Sequence, residues 1–244
     1  MKKGDGTEAA LLAALGYLCF AFYEVVGRVA ALRGFDLGPH LRTPLDDAIS
    51  FLPVFVLPYS LAFVMPFITA VAVAVHGGLH AFRRVFFAYL GLLALHFALY
   101  LAFPTSAGGI MLPEAALGAG PLAWGVRFFY HLAPPWNACP SFHVAGAWFF
   151  YRVLHRWAPR ASFTYAVWFW VMFVSIAAIK IHWAVDGVAG LLLAEAWYRW
   201  VFVPLEARGG CAWEWSSPRQ RLAVHLLPIF LLGAGLAWAL LLHS

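Results

Sequence analysis

The chain has 244 residues, of which 64% are hydrophobic and only 11% charged, with a mean hydropathy of +0.79. An ordinary soluble domain carries about twice that charged share, so composition excludes one and implies an all-α integral membrane protein. The formal charge of +5 requires no nucleic-acid partner, because surplus Lys and Arg in a membrane protein mark cytoplasmic loops.

A bilayer crossing needs about 20 mostly apolar residues. Taken in chain order, the apolar runs predict spans near 9–29, 50–75, 83–104, 141–158, 162–180, 183–205 and 221–242. These make a six-helix core with a seventh C-terminal span. Met1-Lys2-Lys3 and the run behind it resemble a signal peptide, but no cleavage site follows, and Glu24 and Arg28 do. They read as an uncleaved first span. Glu24 and Arg28 are four apart and are expected to pair. Pro53, Pro58 and Pro66 predict kinks in the second span. No repeat or soluble domain interrupts the chain, so 1–244 reads as one membrane domain. Residues 45–195 form its core, and 206–244 add a cytoplasmic loop and the extra span.

Arg83 and Arg84 lie in one connection, Arg152, Arg156 and Arg160 in another, and Arg208, Arg219 and Arg221 in a third. These alternate, and the positive-inside rule assigns them to the cytoplasm with Lys2 and Lys3. The connections near 30–49, 105–140 and 180–183 then face outside. The first carries Arg33 and Arg42, offset by Asp36, Asp46 and Asp47. This orientation suits a plasma membrane, such as a bacterial inner membrane, with any site opening to the exterior.

Two polar stretches interrupt the apolar pattern on that outer side. Ionisable residues within a bilayer segment are costly and usually functional. Pro140-Ser141-Phe142-His143 opens the fourth span. Pro suits a helix start, and the free N–H groups behind it make an anion pocket to which Ser141 and His143 add donors. Read alone, the tetrapeptide equally well begins a helix with His143 facing a headgroup. The second stretch runs from Lys180 to Gly187. His182 and Asp186 are four apart and share a helix face. A carboxylate on one ring nitrogen leaves the other free as base or nucleophile. Lys180 adds positive charge at the turn. Here the alternative is an intrahelical ion pair with Lys180 snorkelling to the interface. Gly187 and Gly190 permit close helix packing.

Together the stretches suit attack by His182 on phosphorus. Lys180 and the helix N-terminus would stabilise phosphoryl charge, and His143 would protonate the leaving oxygen. No carboxylate cluster suits a metal. The three cysteines, Cys19, Cys139 and Cys211, have no metal-ligand spacing. Neither a metal nor a cofactor is expected.

This constellation resembles the type 2 phosphatidic acid phosphatase superfamily, whose second motif is PSxH and third is SRx5HxxxD. Residues 140–143 fit the second. Ser175, His182 and Asp186 stand at the third motif's offsets, with Ile176 at its arginine position. The resemblance implies His182 as nucleophile, Asp186 as its partner and His143 as general acid. The family's first motif is absent, and Phe103-Pro104-Thr105 stands where it is expected. A lysine just before the histidine, that Pro-Thr pair and the segment 134–139 look like the branch that includes inositol phosphorylceramide synthases. The resemblance covers roughly 45–195. It implies a lipid phosphate substrate in the bilayer and either water or an alcohol or polyol as acceptor. Arg127 and Arg42 are candidates for the missing cation.

His96 lies mid-span and reads as packing. Glu195 lies well below the site and reads as structural. His40, His76, His80, His131 and His155 read as loop or interface residues. Two other classes stay open: a haem-binding electron carrier, which needs facing histidines at matched depth, and a transporter or scaffold without chemistry.

Overall fold

The computed structural model describes residues 22–132, 135–160 and 162–207. The N-terminal part of the expected first span, the seventh span and the loop carrying Arg208, Arg219 and Arg221 lie outside the described residues, as do Lys2, Lys3, Cys19 and Cys211.

Helix dominates, and the one isolated β-bridge among the described residues joins Thr105 to Asn137. Residues 22–31 are helical, and Arg28 Nε donates to Glu24 Oε1 at 2.8 Å as the spacing predicts. Three short helices or turns, Pro53–Phe55, Val56–Ser60 and Leu61–Phe63, lead into α1, Met65–Ala102. Pro53 and Pro58 account for this broken path, since proline lacks the amide that continuous helix requires. The loop expected near 76–84 is instead helical on both sides of Gly78. The chain turns there at a single non-helical residue, φ +71°, a conformation open to glycine. The expected second and third spans thus contribute the two arms of one kinked helix.

The connection 105–140, expected as loop, contains a further helix, α2, Pro121–Leu132. It buries Ala123, Val126 and Phe129 on one face, a spacing the apolar run before it obscured. Three helices then match the expected runs: α3, Phe142–Trp157; α4, Ser162–Ala178; and α5, Ala184–Trp197. Arg152 and Arg156 sit on the last turns of α3 rather than in a loop. After α5 the chain continues through a π-helical turn, Tyr198–Phe202, into Val203–Ala207.

Among the described residues two helical stretches are long and apolar enough to cross a membrane, Pro53–Ala102 and Ala184–Ala207, and Ser162–Ala178 is a shorter apolar helix. Helix α3 is the hub, packed against α1, α4 and α5. Its inner residues Val144, Ala145, Phe149 and Val153 are fully buried. Small residues set how close its neighbours come. A Cβ on Gly146 would stand 3.2 Å from the Tyr89 ring of α1, and one on Gly190 of α5 only 2.4 Å from the Ser141 carbonyl oxygen. Such small-residue contacts let helices interlock where no solvent drives them together.

Candidate functional site

The site forms where the N-terminal ends of α3 and α5 meet. Ser141 is the N-cap of α3, with Pro140 outside the helix after a cis Cys139–Pro140 bond. The Ser141 N–H donates to the Asp186 carbonyl at 2.9 Å. That amide, expected in an anion pocket, is therefore occupied in tying the two polar stretches together. Thr105 Oγ1 accepts from Cys139 N at 2.9 Å and donates to Cys139 O, and Tyr100 OH donates to Pro140 O at 2.8 Å. Thr105 and Tyr100 thus pin the segment entering α3.

At the start of α5, Asp186 performs two tasks. Its Oδ2 accepts from the Trp183 N–H at 3.0 Å, capping the helix, and lies 3.3 Å from His182 Nδ1. The three-residue spacing gives the cap and the four-residue spacing gives the histidine contact, with His182 in the bend just before the helix. His182 Nε2, left free by that contact, lies 3.4 Å from Ser141 Oγ. Asp186, His182 and Ser141 are all buried. The His143 ring faces His182 with 5.7 Å between ring centroids. His143 Nε2 lies 3.3 Å from Tyr59 OH.

Between these groups is a cavity of about 10 Å³, room for about one water molecule, so a phosphate ester can enter only if the lining shifts. Tyr23, Tyr59, Asn137, His143 and His182 give its polar edges. Tyr23 and Asn137 clasp each other: Tyr23 OH donates to Asn137 O at 3.0 Å, and Asn137 Nδ2 to Tyr23 O at 2.6 Å. Asn137 Oδ1 and His143 Nδ1 are buried with no hydrogen-bond partner among the described residues. Orphaned buried polar atoms beside a cavity are a mark of function.

The sequence-predicted residues divide into two groups. Ser141, His143, His182 and Asp186 come together. Lys180, Arg42 and Arg127 do not line the cavity, and no described lining residue is Lys or Arg. Lys180 adopts φ +56°, and its Nζ donates to the carbonyls of Asp46 and Ile49. Arg42 pairs with Asp47 at 2.5 Å, and Arg127 bonds Gly118 O and lies 3.7 Å from Glu114. The Arg42 hydrogen bond holds the exposed Asp47 carboxyl below its usual range.

Several positions were missed from sequence. Asp46, counted only as offsetting charge, is buried; its Oδ1 accepts from Ala184 N at the start of α5 at 2.7 Å, and its Oδ2 accepts from Thr43. The capping pattern Thr43-x-x-Asp46 was the available signal. Tyr59 and Tyr23 carried none, because aromatic residues in apolar runs read as lipid-facing, and Asn137 entered only within the segment 134–139. Burial and the neighbouring Asp186 push the Cys139 thiol up to about 12, which leaves it unreactive. Ser175 is spent on a hydrogen bond to Val171 O, and Ile176 packs where a Gly187 Cβ would stand 2.9 Å from it. His96 Nδ1 bonds its own helix at Leu92 O, as packing predicts. Among the described residues no cluster of three or more His, Cys, Asp or Glu could hold a metal ion.

No curated protein and no solved structure matches the chain. A family model does, over residues 26–200, a range that contains every residue around the cavity except Tyr23. With most of its length covered, and with the paired histidines inside the matched range, the chain belongs to the PAP2 superfamily.

Proposed function

We propose that this chain is a membrane enzyme that moves the phosphoryl or phospho-headgroup of a lipid phosphate ester through a phosphohistidine, to an alcohol acceptor or to water. Superfamily membership supports a phosphatase or phosphotransferase acting on a lipid phosphate. The observation that carries the mechanism is His143 and His182 facing each other at 5.7 Å across one cavity, with His182 Nδ1 on Asp186.

Asp186 keeps the Nδ1 proton on His182 and leaves the Nε2 lone pair to attack phosphorus. The P–N bond forms as the bond to the leaving oxygen breaks. That oxygen keeps the electron pair and takes a proton from His143. In the second half, His143 takes a proton from water or an alcohol, whose oxygen displaces Nε2 from phosphorus. The donors around the cavity are imidazoles, hydroxyls and an amide. The mechanism as proposed routes no step through a divalent ion.

Thr105, of the Pro-Thr pair, braces the chain before α3, which accords with the branch resembling inositol phosphorylceramide synthases; a pure lipid phosphate phosphatase is the alternative. Outward-facing Phe163, Trp170, Leu192 and Trp200 suit a lipid surface. We place the cavity on the exterior face of a plasma membrane with the N-terminus inside, because Arg152 and Arg156 occupy the far end of α3. Residues 45–195 form the catalytic core on this reading.

The test is a radiolabelled-lipid assay on purified protein, with and without alcohol acceptors and with chelator. Metal-free release of phosphate or exchange of headgroup is expected. Strict dependence on a divalent ion, or a haem absorption band with no turnover, overturns it.

A further inference from the structure

Resting on the phosphohistidine reading, we infer that Tyr59 is a positioning residue for His143: it engages Nε2 and so leaves Nδ1 as the nitrogen that protonates the leaving oxygen. Neither the motifs nor the spacing points to Tyr59, which lies in a proline-broken apolar run 84 residues before its partner.

Three observations carry the inference. The Tyr59 hydroxyl lies 3.3 Å from His143 Nε2, and both residues line the cavity. The phenol ring is fully buried and held edge-on against Phe129 at 5.0 Å and Phe63 at 6.0 Å, so its hydroxyl has a fixed address. The other ring nitrogen, Nδ1, is buried with no hydrogen-bond partner among the described residues.

A general acid must be an imidazolium with protons on both nitrogens. An oxygen acceptor on one nitrogen holds that proton in place, and the proton on the unpartnered nitrogen is the one free to leave. Tyr59 oxygen accepts from Nε2–H throughout. When the phosphorus–oxygen bond breaks, the Nδ1 proton passes to the leaving oxygen, and the ring is left neutral with Nε2–H still on Tyr59. The division of labour parallels that of Asp186 on His182, with a neutral oxygen in place of a carboxylate. A neutral partner suits an acid: it holds the ring without making the proton harder to release.

The experiment compares two esters of different leaving oxygen on the full-length protein: a dialkyl lipid phosphodiester, whose alkoxide needs a proton, and its p-nitrophenyl counterpart, whose phenolate needs little. Tyr59→Phe keeps the ring and its packing. It is expected to lower kcat on the alkyl ester about 10- to 100-fold, part of the usual value of a general acid, with KM within about twofold and the aryl ester nearly unaffected. In a His143→Ala background, Tyr59→Phe is expected to cost nothing further. Equal slowing of both esters means a merely structural role and overturns the assignment, as does full activity on both. If the wild-type chain turns over neither ester, the enzymatic reading falls and the assignment with it. Wild-type turnover that His182→Ala abolishes, alongside an unaffected Tyr59→Phe, removes the assignment alone.

Discussion

Helices α3 and α5 carry polar side chains at both ends of their shared interface, and the two ends are built on opposite plans. At the far end Glu195 accepts from Arg152, Arg199 and Trp148, and Glu206 accepts from Arg156 and Trp157. The Arg152 guanidinium also lies 4.4 Å from the Tyr198 ring centre. Every carboxylate there faces a full cation. At the cavity end no Lys or Arg lines the space, and three polar atoms, Asn137 Oδ1, His143 Nδ1 and Asp186 Oδ1, have no hydrogen-bond partner among the described residues. Saturated ion pairs lock two helices together. Incompletely satisfied groups held by backbone hydrogen bonds keep capacity for a ligand, at some cost in stability.

Swapping damage between the ends gives the sharpest separation. His182→Ala is expected to take turnover to background, as loss of a nucleophile does, with little change in thermal unfolding. Glu195→Gln is expected to do the reverse. It leaves Arg152 half-paired and removes about 1–3 kcal/mol of stability, with kcat unchanged. Thermal scans in detergent beside the lipid assay read both. A Glu195→Gln protein that is stable but inactive breaks the comparison.

Close approach ties the ends together. The Gly190→Ala methyl would stand 2.4 Å from Ser141 O, a backbone atom that cannot swing aside. Pushing α5 off α3 is expected to cost about 1–3 kcal/mol and also to move His182 away from Ser141 and His143. This variant should lose stability and turnover together, unlike either substitution above. Loss of neither means that the helix interface is looser than its geometry implies.

The contrast also explains what was legible in the sequence. His182 and Asp186 were readable from their four-residue spacing, although His182 sits in the bend before the Trp183 N-cap, so the two meet across the start of α5 and not along one helix face. Ser141 and His143 were readable because a polar PSxH stretch opens an apolar run, and the N-terminal ends of α3 and α5 do meet. Arg152 and Glu195 were legible as polar residues far from the site, though not as partners. Lys180 was expected at the cavity, and the structure has its ammonium on the carbonyls of Asp46 and Ile49; it adopts φ +56°, and no spacing rule anticipates a left-handed non-glycine residue. Asp46 and Tyr59 were hidden for a non-local one. Asp46 caps a helix 138 residues further on, and Tyr59 meets a histidine across the broken helix 53–63. Long-range hydrogen bonds leave no periodic trace. The turn at Gly78 was readable as a connection, but not as a single residue.

Lys180 sharpens the boundary of the site. Its ammonium bonds the carbonyls of Asp46 and Ile49, so Lys180→Met should remove about 1–3 kcal/mol by loosening the 44–49 segment from the turn between α4 and α5. KM for a lipid phosphate should stay within about twofold. A tenfold rise in KM with unchanged thermal stability would return Lys180 to phosphate binding.

Arg42 is the smallest test and separates the two plans most finely. It lies just before Asp46, which caps the cavity end of α5, yet it is paired like the residues at the far end, with both partners exposed. A carboxyl held below its unfolded value, as Asp47 is by Arg42, adds stability above the unfolded pKa and loses it as pH falls through the lowered folded one. The contribution is therefore present at neutral pH and fades in acid, below the ordinary aspartate value near 4. Solvent and salt screen an exposed pair, so Arg42→Gln should differ from wild type only slightly at neutral pH. That difference should vanish in acid or in about 1 M salt. KM should not change under any of these conditions. If KM instead rises at low salt and recovers with Lys at position 42, the outer loop supplies the cation that the cavity lacks, and the two ends of the molecule are less different than their hydrogen bonds make them.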